Sequence, residues 1–179
     1  MMTEGIRLRP VELSDAEALA TVLDRNREHM RPTDPARSDF FYTAAGQRER
    51  VGISLAEQEA GRAMQWVLEE TGTGDIVGSI ALNNIVRGPL LSGVLGYWVD
   101  AGCTGRGVAS GAAEEVCRIA HDDLGLHRVE AATLLDNVAS QRVLAKCGFE
   151  TYGMAPRYLH INGEWRDHRF FQRILHDRN

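Results

Sequence analysis

The sequence predicts an α+β fold in which a central mixed, mostly antiparallel sheet is flanked by helices, within a single domain over residues 1–179. Three observations predict this class. Apolar runs flank the turn "TGTG" and the turn Asn162-Gly163, which indicates two antiparallel hairpins. Apolar residues at helical spacing mark several amphipathic helices. Such a helix separates the strand-like runs "GVLGYWVD" and "RVEAATLL", which predicts that these two strands pair in parallel.

The N-terminal half begins with "IRLRPVEL", whose alternating apolar side chains predict a first strand that Pro10 ends. Ser14 followed by Glu17 has the spacing of a capping box, so we expect one helix from there to about Glu28. A loop with two prolines follows, and a second helix is expected over about 45–60. The segments "AMQWVLEE" and "DIVGSIALNNIV" then form the first hairpin.

The C-terminal half continues with a strand over Val94–Val99 and a helix that ends near His121. The run "RVEAATLL" predicts the next strand, and "NVASQRVLAKCG" predicts a short helix with Gly148 just beyond its end. A hairpin through "YLHINGEWRD" and a last strand through "WRDHRFFQRIL" complete the expected sheet.

Composition and charge narrow the function classes. The chain carries a formal net charge of −5, which argues against a general nucleic-acid binder. Its three cysteines, Cys103, Cys117 and Cys147, have neither the even number of a disulfide framework nor the close spacing of a metal site. The sequence has no signal-peptide core and no run near the ~20 apolar residues of a membrane helix. We therefore expect a cytoplasmic protein with no metal, no nucleic-acid partner and no membrane association.

The stretch "TGRGVASGAAEE" places Gly105 and Gly107 where a helix must begin, although glycine costs a helix roughly 1 kcal/mol relative to alanine. The first N–H groups of a helix lack internal partners, and the helix dipole adds about half a positive charge there. A backbone without Cβ lets phosphate oxygens reach those donors, and Arg106 could add a charge contact. The loop lacks the lysine of a Walker motif and the third glycine of the dinucleotide fingerprint. It predicts either a phosphate site or a plain glycine turn.

The wider pattern resembles the GNAT superfamily of acyl-CoA-dependent N-acetyltransferases. The matching order is the strand "VLGYWVD", the loop "TGRGVA", a helix, the strand "RVEAATLL" and "NVASQRVLAKCGF". The family's phosphate loop reads Gln/Arg-x-x-Gly-x-Gly/Ala; Gly107 and Ala109 fit it, whereas Thr104 departs from the first position. "NREHMRPTDPAR", "NNIVRG", "LGYWV" and "YLHINGEWRDH" narrow the resemblance to the RimJ/RimL branch, and within it to RimJ-like members, over about 26–168.

This resemblance implies acetyl-CoA as co-substrate and a pair of parallel strands that splay apart to admit its pantetheine arm. Gly96 would help a bulge form at the splay; the alternative is a packing glycine beneath Trp98. Asn137 matches a family asparagine that bonds the arm, although it is also suited to cap the following helix. The cofactor-binding residues that the resemblance implies are Leu95, Tyr97, Trp98, Val99, Thr104, Gly105, Arg106, Gly107, Val108, Ala109, Ser110 and Asn137.

The resemblance also implies a proton donor for the leaving thiolate. Many family members use a tyrosine seven residues after the asparagine, but Leu144 occupies that position here. RimJ/RimL-like sequences carry a serine three residues after the asparagine, and Ser140 matches it. A serine hydroxyl can donate a hydrogen bond to sulfur, although a serine in a first helical turn is often only locally bonded.

The catalytic base is the least defined residue. Glu69, at the end of "MQWVLE", is the leading candidate because strands of this hairpin border the acceptor cleft in the family; the alternative is an exposed strand-end carboxylate. His160, Asp167 and His168 lie in the last hairpin, near the mouth of the expected cleft. An α-amine has a pKa near ~7.7–8, against ~10.4 for lysine, so an N-terminal acceptor needs only a weak base.

The function that this resemblance implies is transfer of an acetyl group from acetyl-CoA to the N-terminal α-amine of a ribosomal protein that begins with alanine. One alternative keeps the chemistry and takes a small amine, such as an antibiotic or a polyamine, as acceptor. Another is a non-catalytic acyl-CoA-binding module. An open acceptor groove favours the protein acceptor, and a closed acidic pocket favours a small amine. A homodimer is compatible with each of these functions.

Overall fold

A computed structural model describes residues 2–176, and seven strands in it form one sheet with the order β1-β2-β3-β4-β5-β7-β6. The strands are β1 (Ile6–Pro10), β2 (Met64–Glu70), β3 (Ile76–Val86), β4 (Ser92–Val99), β5 (Arg128–Leu134), β6 (Glu150–Ile161) and β7 (Glu164–Ile174). β4 and β5 run parallel, and the other neighbours in the sheet pair antiparallel. The expected α+β class is confirmed.

Helices pack on both faces of this sheet. They are α1 (Ala16–Arg25), α2 (Arg27–Met30), α3 (Ala44–Glu59), α4 (Val108–Asp122) and α5 (Val138–Lys146), with short 3-10 turns at Leu13–Asp15, Asp39–Tyr42 and Ala101–Cys103. The larger apolar core lies between the sheet and α4, and Leu95, Tyr97 and Val99 of β4 point into it. Trp98 points the other way and packs on the smaller core, beneath α1 and α3. Successive residues of β4 therefore serve opposite faces.

On the face of α1 and α3, those two helices pack on β2 and β3. The same face of β5, β7 and β6 carries Leu134, His168, Phe170, Tyr152 and Tyr158, and we call it the open face. Tyr152 and Tyr158 are 45% and 44% exposed, so this half of the face meets solvent. The sheet therefore has one half covered by helices on both faces and one half that is accessible from the side of α1 and α3.

The parallel strands β4 and β5 separate partway along their length. Ser92, Gly93 and Val94 pair with Arg128, Val129 and Glu130, and the pairing then stops although both strands continue. Beyond Val94, the edge of β4 that faces β5 has no strand partner, so its backbone polar groups line a gap between the two strands. We call this the β4–β5 gap. The gap opens at the same end of β4 as the glycine-containing loop.

Two local predictions were wrong. The expected capping box at Ser14 and Glu17 is absent, because Asp15 accepts from the backbone N–H of Glu12 at 2.8 Å and thereby starts the helix one turn earlier. The expected single helix to Glu28 is broken at Asn26, whose side chain bonds the carbonyl of Val22 and a carboxylate outside the helix. Hydrogen bonding of an asparagine side chain to nearby backbone competes with continuation of a helix.

A third prediction, a bulge in β4 at Gly96, was also wrong, because β4 pairs regularly with β3 at this position. The pairing runs without a shift from Gly78 opposite Val99 to Asn83 opposite Val94, and the irregularity lies further on, between Asn83 and Val86. Gly96 therefore lies in regular strand. The two expected hairpins, the parallel pair and the left-handed Gly148 at the end of α5 are confirmed.

Candidate active site

The loop before α4 has the geometry of an anion cradle. Gly105 and Gly107 have φ of +75° and +81°, in the left-handed region that glycine adopts at little cost. Gly107 is the N-cap of α4, and the first bond within the helix runs from the N–H of Gly111 to its carbonyl. The N–H groups of Val108, Ala109 and Ser110 consequently have no acceptor within the helix.

The space beside this loop is not filled by the protein. A Cβ placed on Gly105 would meet nothing within 4 Å, and one placed on Gly107 would meet Thr3 Oγ1 at 3.7 Å as its nearest neighbour. Donor groups at a helix N-terminus that face open space suit a diphosphate. The residues present therefore fit the acetyl-CoA that the sequence resemblance implies.

The polar side chains of this loop have partners of their own. Thr104 Oγ1 donates to the carbonyl of Ala101 at 2.9 Å, so this hydroxyl stabilises the turn. Arg106 Nη2 lies 3.6 Å from Glu70 Oε1, and its Nη1 lies 3.4 Å from Cys103 Sγ. The guanidinium is thus directed toward the end of β2. The backbone of this loop, more than its side chains, is available to a ligand.

A buried polar network that sequence reasoning missed anchors the turn before this loop. Asp100 accepts from Arg25 Nε, Asn26 Nδ2 and the N–H of Gly102, each at 2.8 Å. Asn26 Oδ1 accepts from the N–H of Ala101 at 2.9 Å. Burial alone would raise the pKa of Asp100, but these hydrogen bonds hold it below its usual range. The break in the helix at Asn26 therefore has a function, since it ties α1 to the start of the loop.

A pair of hydroxyl groups meets at the wall of the β4–β5 gap. Tyr97 Oη lies 2.7 Å from Ser140 Oγ, which joins β4 to the first turn of α5. Asn137 caps this helix, accepting from the N–H of Ser140 at 3.1 Å. Burial raises the pKa of Tyr97 to about 12, so the phenol is neutral and available as a donor at neutral pH. Both Tyr97 and Ser140 were predicted as site residues from the sequence, but the contact between them was not predicted.

The other predicted cofactor residues are divided between the two faces. Leu95 is buried in the core beneath α4 and Val99 packs against it, whereas Trp98 packs under α1 and α3. A ligand in the gap can therefore contact the backbone of these residues more readily than their side chains. Leu144, at the family's tyrosine position, is fully buried and belongs to the core.

Glu69 lies in a different environment from the one the sequence suggested. It is 5% exposed on β2, and its two oxygens accept from Arg7 and Arg9 of β1. The hydrogen bond from Arg9 is the main cause of a pKa below the usual glutamate range. A carboxylate held by two guanidinium groups is a weak base, and two strands lie between it and the gap edge of β5. The geometry gives Glu69 a structural role in joining β1 to β2.

Replacing Glu69 by Gln is expected to lower the free energy of unfolding by about 1–2 kcal/mol. The substitution removes the charge of a buried carboxylate that pairs with two partly exposed arginines. The pKa of Glu69 is lowered on folding, so its contribution is present above the ordinary value of ~4.3 and is lost as pH falls. Urea titrations at neutral and acidic pH measure this, and the difference between the two proteins should shrink in acid. Equal stability at neutral pH would contradict the assignment.

The turn of the hairpin between β6 and β7 carries polar residues. Asn162 and Gly163 form its turn with φ of +52° and +83°, and Asn162 Nδ2 donates to the carbonyl of Arg31 at 2.5 Å. This contact joins the hairpin to the segment after α2 and bounds a cavity of about 280 Å³. Arginines 27, 31 and 37 line the cavity together with the acidic Glu28 and Asp34. The cavity is thus not an acidic pocket.

The three base candidates of this hairpin differ in surroundings. His160 is exposed and packs edge-on against Trp165. Asp167 Oδ1 accepts from the N–H of Arg157 at 2.9 Å. His168 is 4% exposed, lies on the open face, and has its Nδ1 3.0 Å from the carbonyl of Arg166.

Among residues 2–176, no group of three or more histidine, cysteine or carboxylate side chains is arranged to hold a metal ion. Within the same range, no helix combines the length and the apolar composition needed to cross a bilayer.

The loop before α4 therefore combines left-handed glycines at a helix N-terminus with two parallel strands that separate beyond Val94. The family model described as an acetyltransferase (GNAT) domain matches residues 6–150, and the chain belongs to this family. It is an acetyl-CoA-dependent N-acetyltransferase, with acetyl-CoA as co-substrate.

Several similar proteins agree with this membership. The probable N-acetyltransferase YjcK of Bacillus subtilis is 33% identical over 92% of this chain and 91% of its own. The ribosomal-protein-S5-alanine acetyltransferase of Vibrio fischeri superposes with a TM-score of 0.94 at 32% identity, over 99% and 97% of the two chains. RimJ of Mycobacterium smegmatis, solved with CoA-disulfide, gives 0.90 at 31% identity over 94% and 81%.

Proposed function

We propose that this enzyme acetylates the N-terminal α-amine of a ribosomal protein, with alanine as the first residue. The observation that carries this proposal is the accessible half of the sheet beside the β4–β5 gap, where the open face meets solvent at Tyr152 and Tyr158. An extended peptide can lie along such a face. Similarity to the S5-alanine acetyltransferase of Vibrio fischeri supports the same class of acceptor.

The charge beside the hairpin supports a protein acceptor over a polyamine or an aminoglycoside. Those small amines are polycations and would be drawn to a closed site rich in carboxylates. The cavity between α2 and the hairpin turn instead holds three arginines and two acidic residues. The small-amine alternative therefore has no acidic pocket to support it there.

For the co-substrate, we assign the diphosphate to the N–H groups of the loop from Thr104 to Ser110, with Gly105 and Gly107 permitting close approach. When bound, acetyl-CoA supplies the acetyl group as a thioester. The free backbone edge of β4 over Leu95–Val99 would hydrogen-bond the pantetheine arm, and Asn137 would contact it as well as capping α5. The left-handed glycines of the loop, the unpaired edge of β4 and the position of Asn137 at the start of α5 support these roles.

For the leaving thiolate, we assign Ser140 as the hydroxyl that donates to sulfur. Ser140 has one proton, and a hydroxyl that accepts from a neighbour can direct that proton elsewhere. Tyr97 Oη, 2.7 Å away, is the neighbour that can supply such a bond, and it remains protonated at neutral pH. Tyr97 thus acts through Ser140 as a positioning residue.

Acetyl transfer to three acceptors tests the proposal. The first is a peptide with a free N-terminal alanine and no lysine, the second is its N-blocked copy with a lysine added, and the third is spermidine. We expect coenzyme A release with the first peptide alone. Release with spermidine alone would instead support a small-amine acetyltransferase. Tight acetyl-CoA binding with no transfer to any amine would support the non-catalytic alternative.

A further inference from the structure

His168 lies one strand away from the β4–β5 gap, on the open face. It pairs with Leu134 of β5 and with Ala155 of β6. Its neighbour in β7, Arg169, points to the other face and contacts Gln141 of α5. Because side chains alternate along a strand, His168 projects to the side opposite α5. This is the side from which an acceptor on the open face would approach.

Along the strand direction, His168 lies level with the part of β4 that no longer pairs with β5. Val94 pairs with Glu130 at the last contact between β4 and β5. Continuing that register places Leu134 at the level of Trp98, and His168 is directly opposite Leu134. The imidazole therefore lies at the level of the part of the gap that we assign to the pantetheine arm and its thioester, with β5 between them.

The contacts of the ring define one tautomer. A carbonyl oxygen only accepts, so the 3.0 Å contact with Arg166 requires a proton on Nδ1, and the neutral ring then carries its lone pair on Nε2. Tyr158 packs edge-on against the ring, with centroids 5.3 Å apart. A neutral imidazole with a bonded Nδ1–H and a bare Nε2 is the form that a general base takes.

A bulge in β6 holds Tyr158 over this ring. The pairing of β6 with β7 shifts between Ala155 and Leu159, and Arg157 within this segment has a φ of +52°. Left-handed backbone at a residue other than glycine is costly, and bulges are frequent beside active sites. The N–H of Arg157 is fixed by Asp167. The bulge in β6 therefore places Tyr158 against the ring of His168.

The charged side chains near His168 form ion pairs and hydrogen bonds with other residues. Arg166, whose carbonyl accepts the hydrogen bond from Nδ1, pairs through its side chain with Asp136 at 3.0 Å. Asp167 bonds the backbone of Arg157, and Leu134 and Ala155 are apolar. Among residues 2–176 no carboxylate forms a hydrogen bond with the ring of His168. The imidazole is thus the group with a free lone pair at this position.

We infer that His168 is the general base for the acceptor amine, an inference that rests on the proposed acetyl transfer. Nε2 takes one proton from the α-ammonium through an intervening water and later releases it to solvent. The freed nitrogen lone pair forms the N–C bond to the acetyl carbonyl, and the C–S bond breaks. Ser140 donates a proton to the leaving thiolate, and the second proton lost by the nitrogen returns to Ser140 through water.

The variant His168→Asn tests this role, because its amide can still donate to the carbonyl of Arg166 while Nε2 is lost. We expect kcat with the alanine peptide to fall about 100-fold at neutral pH, the usual scale for a general base. The Kd for coenzyme A should stay within about twofold, so that the loss is confined to turnover. The matched control is His29→Asn, at an exposed histidine of α2, which should keep the rate.

A measurement without turnover accompanies the kinetics. Nitrogen-15 spectra of the wild-type protein alone should show a proton on Nδ1 of His168, as its contact with the carbonyl of Arg166 requires. A neutral ring with its proton on Nε2 instead, or an unchanged kcat in folded His168→Asn, would overturn the inference. Failure of the wild-type enzyme to acetylate the alanine peptide would instead count against the proposed acceptor, so the two failures are distinct. If His168→Asn does not fold, His168→Gln and the spectra carry the test.

Discussion

Replacing Gly107 by alanine is expected to weaken coenzyme A binding by about 30- to 100-fold. The φ of +81° at this position costs an L-residue roughly 1–2 kcal/mol, and relief of that strain would turn the N–H groups of Val108 and Ala109 away from the ligand. A Cβ there would also stand in the open space that the diphosphate needs, since its nearest protein atom is 3.7 Å away. Calorimetric titration with coenzyme A measures the change in Kd.

The matched control is Gly125→Ala, just beyond α4. Gly125 has a φ of +61°, and a Cβ there would also meet nothing within 4 Å. Both variants carry the same kind of backbone strain, so both should lose a similar amount of thermal stability. Only the Gly107 variant should lose affinity. If the two variants bound coenzyme A equally well, the loop would not be the diphosphate site.

Replacing Ser140 by alanine is expected to lower kcat by about 100-fold while the Kd for coenzyme A stays within about twofold. The hydroxyl acts on the sulfur as the C–S bond breaks, whereas ground-state binding comes from the backbone of the loop and of β4. Stopped-flow or thiol-release assays with the alanine peptide measure the rate. Ser14→Ala, an exposed serine remote from the β4–β5 gap, is the substitution control and should not change kcat.

Tyr97→Phe extends this prediction, because it removes the 2.7 Å hydroxyl contact and leaves the ring in the core. We expect a loss of about tenfold in kcat, and no additional loss when it is combined with Ser140→Ala, since both act through one proton. The pKa of Tyr97 near 12 places its ionisation outside the working range, so the pH profile should not move. Fully additive losses would show that the two hydroxyls act independently.

The parts of the fold that depend on local patterns were predictable from the sequence. The left-handed glycines of the loop before α4 and the Asn162-Gly163 turn have conformations that few other residues adopt at low energetic cost, so their positions can be predicted from the sequence. The parallel pairing of β4 and β5 followed from the helix between them. These features are encoded by residues close together in the chain.

The features that were missed depend on contacts between distant residues. Asn26 ends α1 because Asp100, far along the chain, offers it a buried carboxylate. Glu69 looked like an exposed strand end, but Arg7 and Arg9 of the neighbouring strand cover and neutralise it. A signal for this was present, since two arginines alternate on one face of β1. The register of β1 against β2 was needed to see that they meet Glu69.

The central claim is that the backbone amides around Gly107 bind a diphosphate and thereby deliver the thioester into the gap between β4 and β5. A crystal structure of the protein with coenzyme A tests this most directly. The account predicts diphosphate oxygens within about 3 Å of the N–H groups at the start of α4, and the pantetheine arm beside Leu95–Trp98. Coenzyme A bound elsewhere, with this turn empty or filled by a side chain such as Thr3, would contradict it.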